Sequence, residues 1–223
     1  VANGTLVVKD SKIELIVIPT TAGSGSESTH FAVVYIGQEK FSLSSKFLMP
    51  DHLILDGGLL KSASSYQRSC NLLDAFSQSV ESYWANGNTA ESIGYAKKSI
   101  KLILKSLRYL SNKNIFLDDV EQNLIRASYF AGKAINISKT TAPHAWSYAF
   151  TTLYNIPHGH AVWLTLPKIF KIAYENSRQR GDNLKNVMDE LITLLELDES
   201  RCLAYQLHSI MNDLGVDHCF LKL

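Results

Sequence analysis

Near residue 60 the hydrophobic pattern of this chain changes period, and that change limits the folds open to it. Before it, apolar residues come in short β-branched runs bounded by turn residues. These are Glu14–Pro19 (ELIVIP), Phe31–Ile36 (FAVVYI), Phe41-Ser42-Leu43 after a Gly37-Gln38 turn, and His52–Leu55 (HLIL), closed by Asp56-Gly57-Gly58. Such runs predict strands, and their continuity predicts strands covered on both faces, as in an α/β sheet. Beyond residue 60 the apolar residues recur at helical spacing. In Thr89–Leu110, Ile93, Ala96, Ile100, Ile103 and Leu107 fall on one side and Lys97, Lys98, Lys101 and Lys105 towards the other. Cys70–Trp84, Asp118–Ile137, His144–Leu153, Ala161–Glu175, Asn183–Leu195 and Arg201–Leu214 read as further helices. Asp118 and Asp119 suit a helix N-terminus, and Gly215 is a helical stop. The chain is expected to be the end of a mixed sheet followed by a helical domain. So few strands without completing partners suggest that earlier sheet strands lie outside this sequence.

Length and charge bound the function. The 223 residues are enough for one large domain with a sizeable core. A formal net charge of +1 without a Lys/Arg stripe argues against a nucleic-acid binder. It does not exclude an anionic small-molecule substrate, which one Lys or Arg can hold. No apolar run approaches the ~18 residues of a membrane span. Cys70, Cys202 and Cys219 are odd in number and fit no zinc motif, so they read as thiols of a reducing, cytoplasmic compartment. The N-terminus, Val1-Ala2-Asn3-Gly4, lacks a signal peptide and an initiator Met, and a piece of a longer protein is expected.

Three segments can carry chemistry. Asp74 and Gln78 stand four apart on a predicted helix, so both side chains reach one point, and Glu81 extends that face. Alone, such a face reads as solvated. Its apolar neighbours and the small Ser77 and Ser79 leave open that it looks into a cavity. His144 and His158 are fourteen apart with Asn155-Ile156-Pro157 between them, and His160 follows after Gly159. Pro157 starts a helix well, which puts His158 in a first turn. A lone His is more often structural, but neutral imidazoles with a carboxylate are a normal ligand set for Zn²⁺ or Fe²⁺. The third segment is Pro19–Thr29 (PTTAGSGSEST), directly after a strand. Its glycines and hydroxyls suit a phosphate or ribose lying over the loop, although a flexible surface loop has the same composition. Neither a GxGxxG nor a P-loop is present.

Together these segments resemble one family. IPTTAGSGSEST is similar to the nucleotide-binding loop of the iron-containing (group III) alcohol dehydrogenases. DAFSQSVESYW is similar to their D-A-x-x-H-x-x-E helix, and HAWSYAFTTLYNIPHGHAV to their H-x(13)-HG segment. The resemblance implies a dehydroquinate synthase-like fold of two domains. An α/β domain binds NAD(H) or NADP(H), an all-α domain binds Fe²⁺ or Zn²⁺, and the active site lies between them. Residues 1–58 would be the C-terminal part of the first domain and 59–223 the second. The family's GGGS-type loop would precede Val1, and a final helical stretch would follow Leu223.

Carried over residue by residue, the resemblance implies Asp74, His144 and His158 as metal ligands. Thr20, Thr21, Gly23, Ser24 and Lys40 would lie on the dinucleotide. Gln78 stands where most members have a third histidine, and an amide oxygen is a weaker ligand than imidazole. Tyr148 stands where some members have a histidine beside the nicotinamide. The Gln-containing helix with IPHGHAV resembles the branch that interconverts phosphonoacetaldehyde and 2-hydroxyethylphosphonate. The implied reaction is hydride transfer between NAD(P)H and a metal-polarised aldehyde, with the proton passing through His160, Tyr148 or a water. Lys46 and Lys139 are candidates to hold a phosphonate. The expected partners are a small aldehyde or alcohol and, for an enzyme of this kind, a second copy in a homodimer. Three readings compete: a general iron-type alcohol dehydrogenase, a dehydroquinate synthase-like lyase, and a non-catalytic helical module.

Overall fold

The computed structural model describes residues 13–37, 39–110, 120–180 and 183–219. Two separate strand pairs precede the helices. β1 (Ile16–Val17) runs parallel to β4 (His52–Leu53), with Ile16 opposite His52. β2 (Phe31–Ile36) and β3 (Glu39–Ser44) form an antiparallel hairpin, with Phe31 opposite Ser44 and Val34 opposite Phe41. Gly37, at φ 62°, makes the turn in a left-handed conformation that glycine adopts without strain. Ile16, Ile18 and Ile54 are about half exposed, as are Val33 and Ile36. Among the described residues each pair holds two strands.

Eight α-helices are described. They are α1 (Ser65–Trp84), α2 (Ala90–Leu110), α3 (Val120–Ser138), α4 (Ala142–Tyr154), α5 (His158–Trp163), α6 (Leu166–Arg180), α7 (Asn183–Leu195) and α8 (Leu203–Asp213). α1 is the hub, packed against α2, α3, α5 and α7. It starts five residues before the apolar run, because the Ser64 hydroxyl caps it by accepting from the Gln67 N–H. Leu73, Phe76, Val80 and Tyr83 lie in the core, with Ile100 and Ile103 of α2 and Ile125 of α3. Buried serines let these helices approach closely. Ser79 bonds Ser99 across α1 and α2, and Ser138 bonds Ser82 across α3 and α1.

The segment Ala161–Glu175 is not one helix as its spacing predicts. It is split between α5 and α6 at Leu164-Thr165. Pro167 lacks an N–H and cannot sit in a helix interior, but it is tolerated in the first turn of α6. The break gives α5 its own direction. It lets Gly159 lie against α1, where a Cβ would stand 2.0 Å from the Cys70 carbonyl oxygen and 2.8 Å from the Asp74 nitrogen.

Candidate metal centre and cavity

Asp74 and Gln78 occupy successive turns of α1, both buried. α4 brings His144 in its first turn, behind Pro143, and α5 brings His158 as its first residue. One ligand atom each from Asp74, His144 and His158 lie within 4.8 Å of one another. The His144 Nε2 is 3.4 Å from the Asp74 Oδ1, and the His158 Nε2 is 3.9 Å from the same oxygen. Donors bound to one cation at about 2.0–2.2 Å stand roughly 3–4 Å apart, so the spacing suits a divalent ion.

The hydrogen bonds suit it as well. The His144 Nε2 is buried and makes no hydrogen bond, and the same is true of the Gln78 Oε1. The Gln78 amide nitrogen donates to the Asp74 Oδ1 at 3.2 Å and to the Ser24 carbonyl at 3.3 Å. Both partners are acceptors, so the amide cannot be flipped, and its oxygen is the atom left over. Burial alone would raise the Asp74 pKa, but the adjacent His144, the charge of His158 and the Gln78 hydrogen bond hold it below the ordinary carboxylate value. Burial likewise disfavours a charged His144, yet Glu81 and Asp74 outweigh it and lift its pKa to about 9. The two buried carboxylates, Asp74 and Glu81, thus both stand against His144, and buried carboxylates need such a cationic or hydrogen-bonding partner.

Glu81 is the functional residue that sequence reasoning saw only as part of a polar face. It is fully buried. Its Oε1 is 2.5 Å from the His144 Nδ1, and its Oε2 accepts from the Thr141 N–H at 2.5 Å and the Thr141 hydroxyl at 2.8 Å. A carboxylate only accepts, so the His144 Nδ1 carries a proton and the Nε2 is turned towards Asp74. The spacing Asp74, Gln78, Glu81 along one helix stripe was the available signal.

The cluster opens into a cavity of about 600 Å³. Its other walls are Ser24, Ser26 and Thr29 of the loop after β1, Phe31, Ala32 and Val33 of β2, Ser42 to Ser44 of β3, and Ile135, Lys139, Thr140 and Tyr148. The Tyr148 ring stacks on His158, 5.8 Å between centroids and 5° from parallel. The remaining predicted residues are spread more widely. Thr20 and Thr21 line a shallow recess with Leu60, Arg68 and Asn71. Gly23 presses on α1, where a Cβ would be 3.0 Å from the Asn71 Cα. Lys40 pairs with Tyr35 in the hairpin, and its side chain lies outside the described residues. Lys46 stands over the Phe47 ring and does not line the cavity. His160 does not line it either. Its Nε2 is 2.7 Å from the Asp217 carbonyl, so that nitrogen carries the proton and the Nδ1 accepts from the Tyr66 hydroxyl at 2.8 Å.

Comparison with known proteins decides the family. A family model described as "Fe-containing alcohol dehydrogenase family, C-terminal" matches residues 70–222, more than half of the chain. The chain belongs to the iron-containing alcohol dehydrogenase family. A second model, "Iron-containing alcohol dehydrogenase", matches residues 2–57. The phosphonoacetaldehyde reductase of Streptomyces viridochromogenes is 29% identical over 174 residues, 76% of this chain and 43% of that protein. The 4-hydroxybutyrate dehydrogenase of Clostridium kluyveri is 28% identical over 190 residues, 84% of this chain and 51% of that protein. The crystal structure of sulfoacetaldehyde reductase from Bifidobacterium kashiwanohense, in complex with NAD⁺, superimposes with a TM-score of 0.75 at 25% identity. That match covers 95% of this chain and 55% of the other. The chain thus spans about half the length of these relatives. Its helical bundle and strand pairs have the fold of the family's enzymes.

Proposed function

We propose that the chain carries the metal site and part of the dinucleotide site of an NAD(P)H-dependent aldehyde reductase. Residues 1–58 belong to the nucleotide-binding domain and 59–223 form the metal-binding domain. The substrate pair is phosphonoacetaldehyde and 2-hydroxyethylphosphonate. The observation that carries this reading is the buried cluster of Asp74, His144 and His158 at the wall of a ligand-sized cavity.

Asp74, His144 and His158 would hold a divalent cation, with the Gln78 Oε1 as a further oxygen donor. Such a cation supplies Lewis acidity to a carbonyl, and NAD(P)H supplies the hydride. Glu81 fixes the tautomer and rotation of His144. Gln78 ties Asp74 to Ser24, and so joins the metal site to the loop that would carry the dinucleotide. Tyr148, stacked on His158 and lining the cavity, is the better placed of the two proton-relay candidates. His160 has both ring nitrogens engaged elsewhere.

The test is oxidation of NADH or NADPH by the full-length, metal-loaded protein. Phosphonoacetaldehyde is turned over far better than butanal or lactaldehyde. Equal rates would favour a second reading, a general alcohol dehydrogenase, for which the apolar walls at Phe31, Val33, Leu43 and Ile135 also speak.

A further inference from the structure

From the cavity's geometry we infer that Lys139, with Thr140 beside it, is the residue pair that receives the anionic head of the substrate and sets selectivity for it. The inference rests on the reductase reading and names the group that recognises the tetrahedral oxyanion. Among the described residues lining the cavity, Lys139 is the sole Lys or Arg, and it shares that cavity with the metal cluster. Among the described residues no carboxylate pairs with it. Its ammonium stands over the Phe31 ring, 4.8 Å from the centroid, and Phe31 also lines the cavity. An aromatic face orients a cation without neutralising it, so the charge stays available to an anion.

The backbone argues the same way. Lys139 follows the last residue of α3 at φ 67°, and its N–H bonds the Ile135 carbonyl. This left-handed position after a helix is the one where glycine is cheapest. A long cationic side chain is kept there against the local preference. Ser138, hydrogen-bonded to Ser82 and to the Lys139 carbonyl, holds that turn on α1. Thr140, Ser24, Ser26, Ser42 and Ser44 line the same space, and a tetrahedral oxyanion can use several donors at once.

The experiment compares full-length, metal-loaded wild type with K139G and K139R. It reads kcat/KM for phosphonoacetaldehyde relative to butanal, inhibition of butanal reduction by inorganic phosphate, and thermal stability. Loss of one charge-assisted contact is expected to lower the anionic-to-neutral kcat/KM ratio of K139G by roughly ten- to a hundredfold, mostly through KM. K139G also loses phosphate inhibition, while its melting temperature does not fall, because glycine suits the left-handed turn. K139R keeps part of the ratio. If both aldehydes lose rate equally, or phosphate inhibits K139G as it does wild type, the inference is wrong. If wild type reduces no anionic aldehyde, the substrate reading fails on its own. Phosphate inhibition of butanal reduction, present in wild type and lost in K139G, would then still uphold Lys139 as an anion site.

Discussion

Glu81 stands one residue behind the cluster of Asp74, His144 and His158. Its two oxygens tie the His144 Nδ1 to the start of α4 at Thr141. Carboxylates in that position typically change metal affinity tenfold to a hundredfold. Glu81→Gln is expected to weaken divalent metal binding by about that factor while the helices stay folded, read by metal titration alongside circular dichroism. Asp74→Ala removes the oxygen that both imidazoles approach and abolishes stoichiometric metal, as elemental analysis would show. Gln78→His is subtler. Imidazole is the stronger ligand, so metal binding tightens. The amide donors to Ser24 and Asp74 are lost, so the loop after β1 loosens and KM for the dinucleotide rises. Tighter metal with an unchanged dinucleotide KM would mean that the Ser24 contact is without consequence. These residues were partly legible in the sequence. Residue type and spacing singled out Asp74, Gln78, His144 and His158. The pairing of Glu81 with a histidine 63 positions away was not legible, because it depends on how α4 crosses α1.

Elements meet here through glycine. α5 approaches α1 closely enough that Gly159→Ala would drive a methyl into the Cys70 carbonyl and the Asp74 backbone. Backbone cannot move aside as a flexible side chain can. The substitution is expected to cost at least about 1–3 kcal/mol and to displace His158. Denaturant titration and metal affinity should fall together, and loss of stability with unchanged metal binding would separate α5 from the site. Gly25 is the counterpart in the loop after β1. It has φ 61°, and a Cβ there would lie 2.5 Å from the Gly132 Cα of α3. Ser28 adds a bond to the Tyr129 carbonyl, and the His30 N–H one to Asn136. The glycines of this loop looked like room for a ligand. Gly23 and Gly25 also make room for helices, and Thr20, Thr21 and Ser24 are exposed.

Across the whole molecule, the cluster draws on three helices, so a bound cation would join α1, α4 and α5. A ligand that binds only the folded state adds about 2.7 kcal/mol at a hundred times its Kd. Full-length protein is therefore expected to melt at a higher temperature with Fe²⁺ or Zn²⁺ than with a chelator, and Asp74→Ala should show no difference between the two. No described helix is long and apolar enough to cross a membrane.

The amino-acid order alone determined the change from strands to helices near residue 60, the boundaries of most helices to within a few residues, and which acid and histidines to look for in one place, Asp74, His144 and His158, which do lie together. Local periodicity and capping act over a few residues and can be read in order. Tertiary structure decided the rest: the split of α5 from α6, the engagement of His160 by Tyr66 and Asp217, the buried pairing of Glu81 with His144, and the arrival of Lys139 rather than Lys46 at the cavity. Each of these depends on where distant segments cross. Crossing is set by the packing of whole helix faces, and no window of neighbouring residues contains it.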